Sequence, residues 1–282
     1  MRPRWIRALA AVASMAAAPA PAAFGHAPPE AIEAAARAEV ARRPADADAH
    51  LAAGRMHRAA RAWDAALAAC ERAAALGADP TVVAVAKGEV YLDAGWPGLA
   101  ERELTRALER TPEDVGARYD RGRARMALGD PAGAAQDFER AIAGMREPRP
   151  EHVFAWRDAR IALGDPAGAI RVLDAGVAYL GAVPSLHLAA LDLELALGRY
   201  PDALRRLDAL LAIGAQSPAW IARRAEVLDR LGRHAEARRD RARALAVIEH
   251  RRPGRRGSTL TTLAAELRRD LATTAEPRED HP

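Results

Sequence analysis

The chain has 282 residues, of which 50% are hydrophobic, 28% are charged and only 4% are aromatic. Alanine supplies much of the apolar fraction and the alternation typical of β-strands is missing, which favours helices that pack through small residues. The formal net charge of +4 falls to about +1 without the three arginines of residues 1–7. Elsewhere arginines are interleaved with carboxylates rather than gathered in one basic stripe, which argues against nucleic acid as a partner.

Residues 1–25 have the three parts of a secretory signal peptide. Three arginines precede an unbroken apolar run at 8–18, which is too short to span a bilayer. Small-x-small sequences then allow cleavage after Ala22 or after Gly25. We therefore expect a periplasmic or secreted protein with no stable membrane insertion after signal cleavage. An arginine-rich mitochondrial presequence is the alternative.

A repeating pattern follows a single helix that is predicted within residues 26–44 and ends at Pro44. Turn glycines recur at intervals of 34 or 35 residues, as Gly95, Gly129, Gly164, Gly198 and Gly232. An alanine stands five residues after each glycine, and Ala66 extends that column upstream. A bulky residue comes four positions later, in the column Cys70, Leu104, Phe138, Leu173 and Leu207. This register predicts that Cys70, the only cysteine, is a buried core residue.

The local sequence explains how each unit turns. Gly-Asp-Pro-Ala-Gly-Ala occurs at 129–134 and again at 164–169. Glycine permits the positive φ that ends a helix, and Asp130 and Asp165 can cap the helix that follows. Pro131 and Pro166 suit the first helical position, where no N–H is needed. Each unit is therefore predicted to be a helix, a tight turn and a second helix, and neighbouring units must stack to bury their apolar faces.

This pattern resembles the tetratricopeptide repeat, which has a small residue in the first helix, a turn glycine, an alanine, a bulky residue and a closing proline. The small residues here are Gly54, Gly88 and Gly122, and the closing prolines are Pro80, Pro112, Pro148, Pro184 and Pro218. The resemblance covers about residues 45–252. It implies an all-α fold, a right-handed α-solenoid of stacked antiparallel helix pairs with repeats at about 45–80, 81–114, 115–149, 150–183, 184–217 and 218–252.

Two features depart from the family pattern. The aromatic residues of the first helix are mostly absent, although Tyr91 matches. Arg241 occupies the bulky position of the last repeat, which we interpret as the polar outer side of a terminal repeat. Beyond the repeats, residues 253–275 predict a linker and an amphipathic helix at 260–271 that caps the array, and residues 276–282 predict a disordered tail.

Signatures of catalysis and of cofactor binding are missing from the sequence. The Gly-Asp-Pro turns lack the Gly-Lys-Ser/Thr of a phosphate-binding loop, and no serine lies in a Gly-x-Ser-x-Gly elbow. No His-Glu-x-x-His or cysteine–histidine cluster is present, so we expect no catalytic residues, no metal site and no cofactor. His50 and His57 share a helix face and could begin a metal site, and His26 could chelate copper if cleavage follows Gly25.

The resemblance also implies a concave groove lined by first helices, which in the family commonly takes a partner peptide or helix. Columns four residues apart share one face of a helix. They predict the partner-binding set Arg55, Arg58, Val85, Glu89, Tyr119, Arg123, Phe154, Asp158, Leu188, Asp192 and Glu226. The hypothesis is a ligand with an apolar stripe, an acidic end facing Arg55 and Arg123, and a basic end facing the carboxylates of the later repeats. The alternative is that these are ordinary solvated residues.

Three functions remain open from the sequence. The first is an exported, non-catalytic scaffold or adaptor for a protein or peptide partner. The second is a metal-binding or enzymatic protein that uses its histidines. The third is a structural solenoid that assembles with itself.

Overall fold

The computed structural model describes residues 27–214, 216–250 and 258–273. Every regular element within these ranges is an α-helix. The helices are α1 (Pro29–Arg42), α2 (Ala47–Ala59), α3 (Trp63–Ala75), α4 (Pro80–Asp93), α5 (Pro97–Arg110), α6 (Val115–Ala127), α7 (Pro131–Gly144), α8 (Pro150–Ala162), α9 (Pro166–Leu180), α10 (Pro184–Ala196), α11 (Tyr200–Ile213), α12 (Pro218–Arg230), α13 (His234–Glu249) and α14 (Ser258–Thr273). The predicted signal peptide, His26 and the tail at 276–282 lie outside the described residues.

The chain divides into two compact units, Met1–Ala169 and Ile170–Pro282. In the first unit α1 packs on α2, and the helical hairpins α2–α3, α4–α5 and α6–α7 follow, with α8 against α7. The first helices of successive hairpins also touch, α2 with α4 and α4 with α6. This is the packing expected of an all-α solenoid, and it confirms the predicted fold class.

The second unit, described by itself, also consists of helices that pack in chain order from α10 onward. Each helix packs on the next, α10 on α11, α11 on α12, α12 on α13 and α13 on α14. The helix predicted at 260–271 lies within α14, which buries Ala264 and Leu267 in a cluster with Ile221 and Ile248. No helix of the described residues is long and apolar enough to cross a membrane.

The periodic columns form the core. The alanine column and the bulky column are almost completely buried, with exposures of 0% or 1% at Ala66, Cys70, Ala100, Leu104, Ala134, Phe138, Ala169, Leu173, Ala203, Leu207 and Ala237. The prediction that Cys70 is a buried core residue is confirmed by its low exposure. This burial raises the pKa of its thiol to about 11. At neutral pH it is therefore a small hydrophobic residue rather than a reactive thiolate.

The predicted turn chemistry is also present. The five turn glycines have φ between 70° and 81°. Asp130 accepts a hydrogen bond from the Gly133 N–H at 2.9 Å, and Asp165 accepts one from Gly168 at 2.7 Å. Pro80, Pro184 and Pro218 are the first residues of α4, α10 and α12. Proline is favoured there because its missing N–H would have no helical partner.

The first hairpin turns without a glycine. Arg61 stands 34 residues before Gly95 and is the one non-glycine residue of the described chain with a positive φ, 58°. An L-residue in this region costs roughly 1–2 kcal/mol because its Cβ crowds the following carbonyl oxygen. The α2–α3 turn therefore carries strain that the other turns avoid.

Replacement of Arg61 by glycine is expected to stabilise the protein by about 0.5–1 kcal/mol, since the relief of strain exceeds the added freedom of the unfolded chain. The urea midpoint of unfolding measures the change. Arg61→Ala is the control, because alanine keeps the Cβ and should give no comparable gain. Equal stabilisation by both variants would show that the charge of Arg61, and not its backbone, is responsible.

Glycines inside the first helices allow a close approach of the second helices. A Cβ added to Gly88 would lie 2.6 Å from Leu104 Cγ, and one added to Gly122 would lie 2.7 Å from Phe138 Cε1. Both distances are shorter than real Cβ contacts, so the bulky side chains occupy the space that a side chain at the glycine would need. Close packing therefore explains why glycine occupies these positions, although glycine is a poor helix former.

Gly122→Ala is expected to destabilise the protein by about 1–3 kcal/mol, because the added methyl group overpacks the contact with Phe138. Gly98→Ala is the matched control. Gly98 also lies in a helix, α5, but a Cβ there meets nothing within 4 Å, so alanine should be neutral or stabilising. Thermal unfolding of both variants decides the matter, and a loss of stability at both positions would contradict the packing argument.

Arg241 corrects one prediction. It does not lie on a polar outer side: its side chain is only 11% exposed and forms ion pairs with Asp229 and, at 3.5 Å, with Asp270 of α14. The terminal repeat is thus covered by α14, and the charge at the bulky position is buried between two carboxylates. The prediction was wrong because a single repeat pattern gives no information on which helix covers its last member.

Candidate functional site

The predicted site residues of the first unit lie on α2, α4, α6 and α8. Arg58 of α2 forms an ion pair with Glu89 of α4, and its Nε lies 3.6 Å from Asp93 Oδ2. Arg123 of α6 lies 2.9 Å from Asp120 and 3.9 Å from the other oxygen of Asp93. These five side chains form one chain of charges across three helices, called here the first-helix ion network.

The network is partly buried and has one carboxylate more than it has guanidinium groups. Side-chain exposure ranges from 16% at Asp120 to 40% at Asp93. Burial raises the pKa of Glu89 and of Asp120, although the nearby arginines lower both. Of the two arginines that were predicted to face an acidic ligand, Arg123 is therefore already engaged in ion pairs, whereas Arg55 is not. Arg55 is exposed on α2 and forms no ion pair in the part of the chain that the structure describes.

The aromatic and apolar members of the set are more deeply packed. Tyr119 lies against Phe138, with ring centroids 5.2 Å apart, and edge-on to His152 at 4.8 Å. Burial raises the pKa of Tyr119 to about 12. Val85 is partly buried against the cluster around Leu104. Both residues contribute to the core, so only part of each is available to a partner.

A second group of predicted residues lies on α8. The Arg157 guanidinium stands 4.6 Å above the centre of the Phe154 ring, in the range of a cation–π interaction. The same arginine donates to Asp158 at 2.6 Å. Phe154 and Asp158 therefore lie beside each other, and Arg157 joins them.

In the second unit, the predicted residues lie on α10 and α12. Leu188 is partly buried against the cluster around Leu191 and Leu207. Asp192 of α10 forms an ion pair with Arg223 of α12. Glu226 is exposed and forms no ion pair or hydrogen bond within the described residues, and partial desolvation on α12 raises the pKa of its carboxyl group.

Sequence analysis missed the partners of these charges. Asp93 stands four residues after Glu89, and Asp120 stands three residues before Arg123, so helical spacing could have placed both on the same face. The pairs between helices, such as Arg58 with Glu89, join residues 31 apart in the chain. No periodicity of one residue type reveals such a pair.

The histidines of the described residues do not lie together in one site. His50 Nε2 lies 3.1 Å from the Pro44 carbonyl oxygen, while His57 Nδ1 is buried without a hydrogen-bond partner. Burial lowers the pKa of His57 and of His187. Within the described ranges no group of three or more His, Cys, Asp or Glu side chains could hold a metal ion.

Comparison with known proteins agrees with this architecture. A sequence profile described as tetratricopeptide repeat matches residues 85–150, which span α4 to α7 apart from the first turns of α4, and this match supports the tetratricopeptide repeat family. No curated protein sequence matches the chain.

Solved structures show similarity of fold at low sequence identity. A tetratricopeptide repeat protein from Parabacteroides merdae ATCC 43184 is 16% identical, with a TM-score of 0.48 over 84% of this chain and 91% of that one. Residues 41 to the end of MamA from Desulfovibrio magneticus RS-1 are 16% identical, with a TM-score of 0.44 over 61% and 96%. A chain of the APC/C hetero-tetramer Cut9–Hcn1 is 14% identical, with a TM-score of 0.48 over 88% and 46%.

Proposed function

We propose that the protein is an exported, non-catalytic scaffold that binds a peptide or helix of a partner protein on its first helices. The observation that carries the proposal is the first-helix ion network, because it links three first helices through side chains that remain partly exposed. Charges that are held in place before binding lose little conformational entropy when a partner arrives. The family match at residues 85–150 includes two of the three helices concerned and supports the same function.

The nearby groups indicate what such a partner presents. Phe154 with its stacked Arg157 offers an aromatic surface beside a charge, and aromatic residues often anchor interfaces. Arg55 offers an exposed cation at the α2 end of the network. We therefore expect the partner segment to carry a carboxylate near Arg55 and apolar side chains near Phe154.

Arg55→Glu is expected to weaken binding of the partner about tenfold, because it replaces an attractive charge by a repulsive one at the edge of the contact. Arg72→Glu is the matched control, since Arg72 is also exposed but lies on α3, the second helix of the same hairpin. C-terminally tagged wild-type chain first captures partners from an envelope extract, and calorimetry with the purified partner then compares the three proteins. Equal affinities would exclude this face as the binding site.

Export is the second part of the proposal and depends on residues 1–25. Their arginines, short apolar run and small-x-small sequences are those of a cleavable signal. When the full-length chain is expressed in bacteria, the protein outside the cytoplasm is expected to begin at Ala23 or at His26. Fractionation followed by mass spectrometry of the N-terminal peptide measures this, and an uncleaved chain confined to the cytoplasm would contradict it.

A further inference from the structure

The helices α2, α4, α6 and α8 of Met1–Ala169 begin in two different ways. Asp46, Asp79 and Asp114 stand before α2, α4 and α6, and each accepts a hydrogen bond from a backbone N–H of its helix, at 2.9, 2.6 and 2.9 Å. Before α8 the corresponding residue is Arg149, whose guanidinium group has no acceptor atom. At this end His152, in the first turn of the helix, accepts a hydrogen bond at Nδ1 from the Arg149 N–H, at 3.0 Å.

This hydrogen bond requires one protonation state of the His152 ring. A ring nitrogen that accepts a hydrogen bond carries no proton, so the neutral ring holds its proton on Nε2. Once the ring is protonated, both nitrogens are donors, and Nδ1 can no longer accept from the Arg149 N–H. Aspartate ordinarily keeps its charge down to about pH 4, whereas histidine gains its second proton near pH 6.5. Of these four helices, α8 is therefore the one whose cap is sensitive to mild acid.

The charges that act on His152 come from its own turn and from α6. Burial and the neighbouring Arg149 lower the pKa of the ring below its ordinary value, against the opposing effects of Glu151 and of Asp120 on α6. Because the folded protein favours the neutral ring, the capped form is complete at neutral pH. The cap is lost only as the pH falls below about 6.5 and passes through this lowered pKa.

The helix α7 also packs on α8, and its charged groups are paired with other residues or exposed. Asp137 pairs with Arg121 and Arg125, Glu139 lies 3.8 Å from Arg160, and Arg140 is exposed.

His152 is also connected to both aromatic residues of the predicted partner-binding set. Its ring lies edge-on to Tyr119 of α6, with ring centroids 4.8 Å apart, and Phe154 follows it by two residues on α8. A helix end that loses its cap frays, because its first N–H groups have no partner within the helix. Protonation of His152 therefore acts on the turn that places one ring against Tyr119 and carries Phe154.

We propose that His152 is a pH-sensitive cap of α8: the neutral ring holds the first turn of the helix against Tyr119, and protonation releases that turn and weakens the binding of a partner. The inference rests on the proposed function only for the effect on a partner, because release of the turn itself requires none. It adds a dependence on pH to the first-helix face.

The test is a pH titration of the ¹⁵N-labelled full chain, followed by NMR. The amides of Arg149 and of residues 151–154 should shift with a midpoint below about pH 6.5. Across that midpoint the protection of the Arg149 amide from hydrogen exchange, relative to an unstructured chain at the same pH, should fall about fivefold, which is the usual effect of losing a helix cap.

His152→Gln is the decisive variant, because the glutamine oxygen can accept the same hydrogen bond from the Arg149 N–H at every pH. In this variant the shifts and the loss of protection should both disappear. His234→Gln is the matched control. The His234 side chain is 76% exposed at the start of α13, so its replacement should leave the titration of Arg149 unchanged.

The proposal is overturned if the Arg149 amide keeps its protection in acid, or if His152→Gln titrates as the wild type does. The effect on binding is measured by calorimetry with a partner that the wild type captures. The affinity of the wild type should fall about fivefold across the midpoint, as the cap is lost, while that of His152→Gln should stay constant.

Failure of this proposal can be told apart from failure of the proposed function. A partner whose affinity depends on Arg55, together with an Arg149 amide that stays protected in acid, would overturn only the cap. Release of the turn in acid, together with no loss of affinity in Arg55→Glu, would support the cap and overturn only the first-helix face.

Discussion

The close contact between a glycine of one helix and a bulky side chain sixteen residues later determines how the hairpins of Met1–Ala169 are built. A Cβ on Gly54, Gly88 or Gly122 would meet Cys70, Leu104 or Phe138, at 3.4, 2.6 and 2.7 Å. The contact is loosest where the second residue is the small Cys70, so its closeness depends on the size of that residue. Arg121 and Asp137 come one residue before Gly122 and Phe138, so the same spacing of sixteen brings them together. Arg121 donates two hydrogen bonds of 2.9 and 2.7 Å to Asp137.

In Ile170–Pro282 the contacting residues are again sixteen positions apart, but different residue types occupy those positions. Leu191 and Leu207, again sixteen apart, lie in one apolar cluster, and Arg224 reaches Asp240 with bonds of 2.7 and 2.8 Å. A buried ion pair offsets its desolvation only when both groups are well aligned. The helix-pair geometry supplies that alignment at a fixed spacing, which explains why Asp137 and Asp240 can be almost completely buried.

The sequence predicted those features that depend on the backbone and on residue size. Glycine, aspartate and proline at the turns indicated where helices end and begin, and the alanine and bulky columns identified the core. It did not predict the left-handed Arg61 or the burial of Arg241, because each breaks the pattern of its column and depends on tertiary packing. The members of the first-helix face were predicted from register, but their ion pairs were not, since a pair such as Arg58 with Glu89 depends on where two long side chains meet in space.

A partner that binds at the first-helix ion network must displace contacts that already exist. In the first-helix ion network, Arg58 and Arg123 already contact carboxylates, so a ligand carboxylate has to compete with Glu89, Asp93 or Asp120 for them. Such an exchange adds little net energy, and its main effect is to exclude partners with the wrong charge.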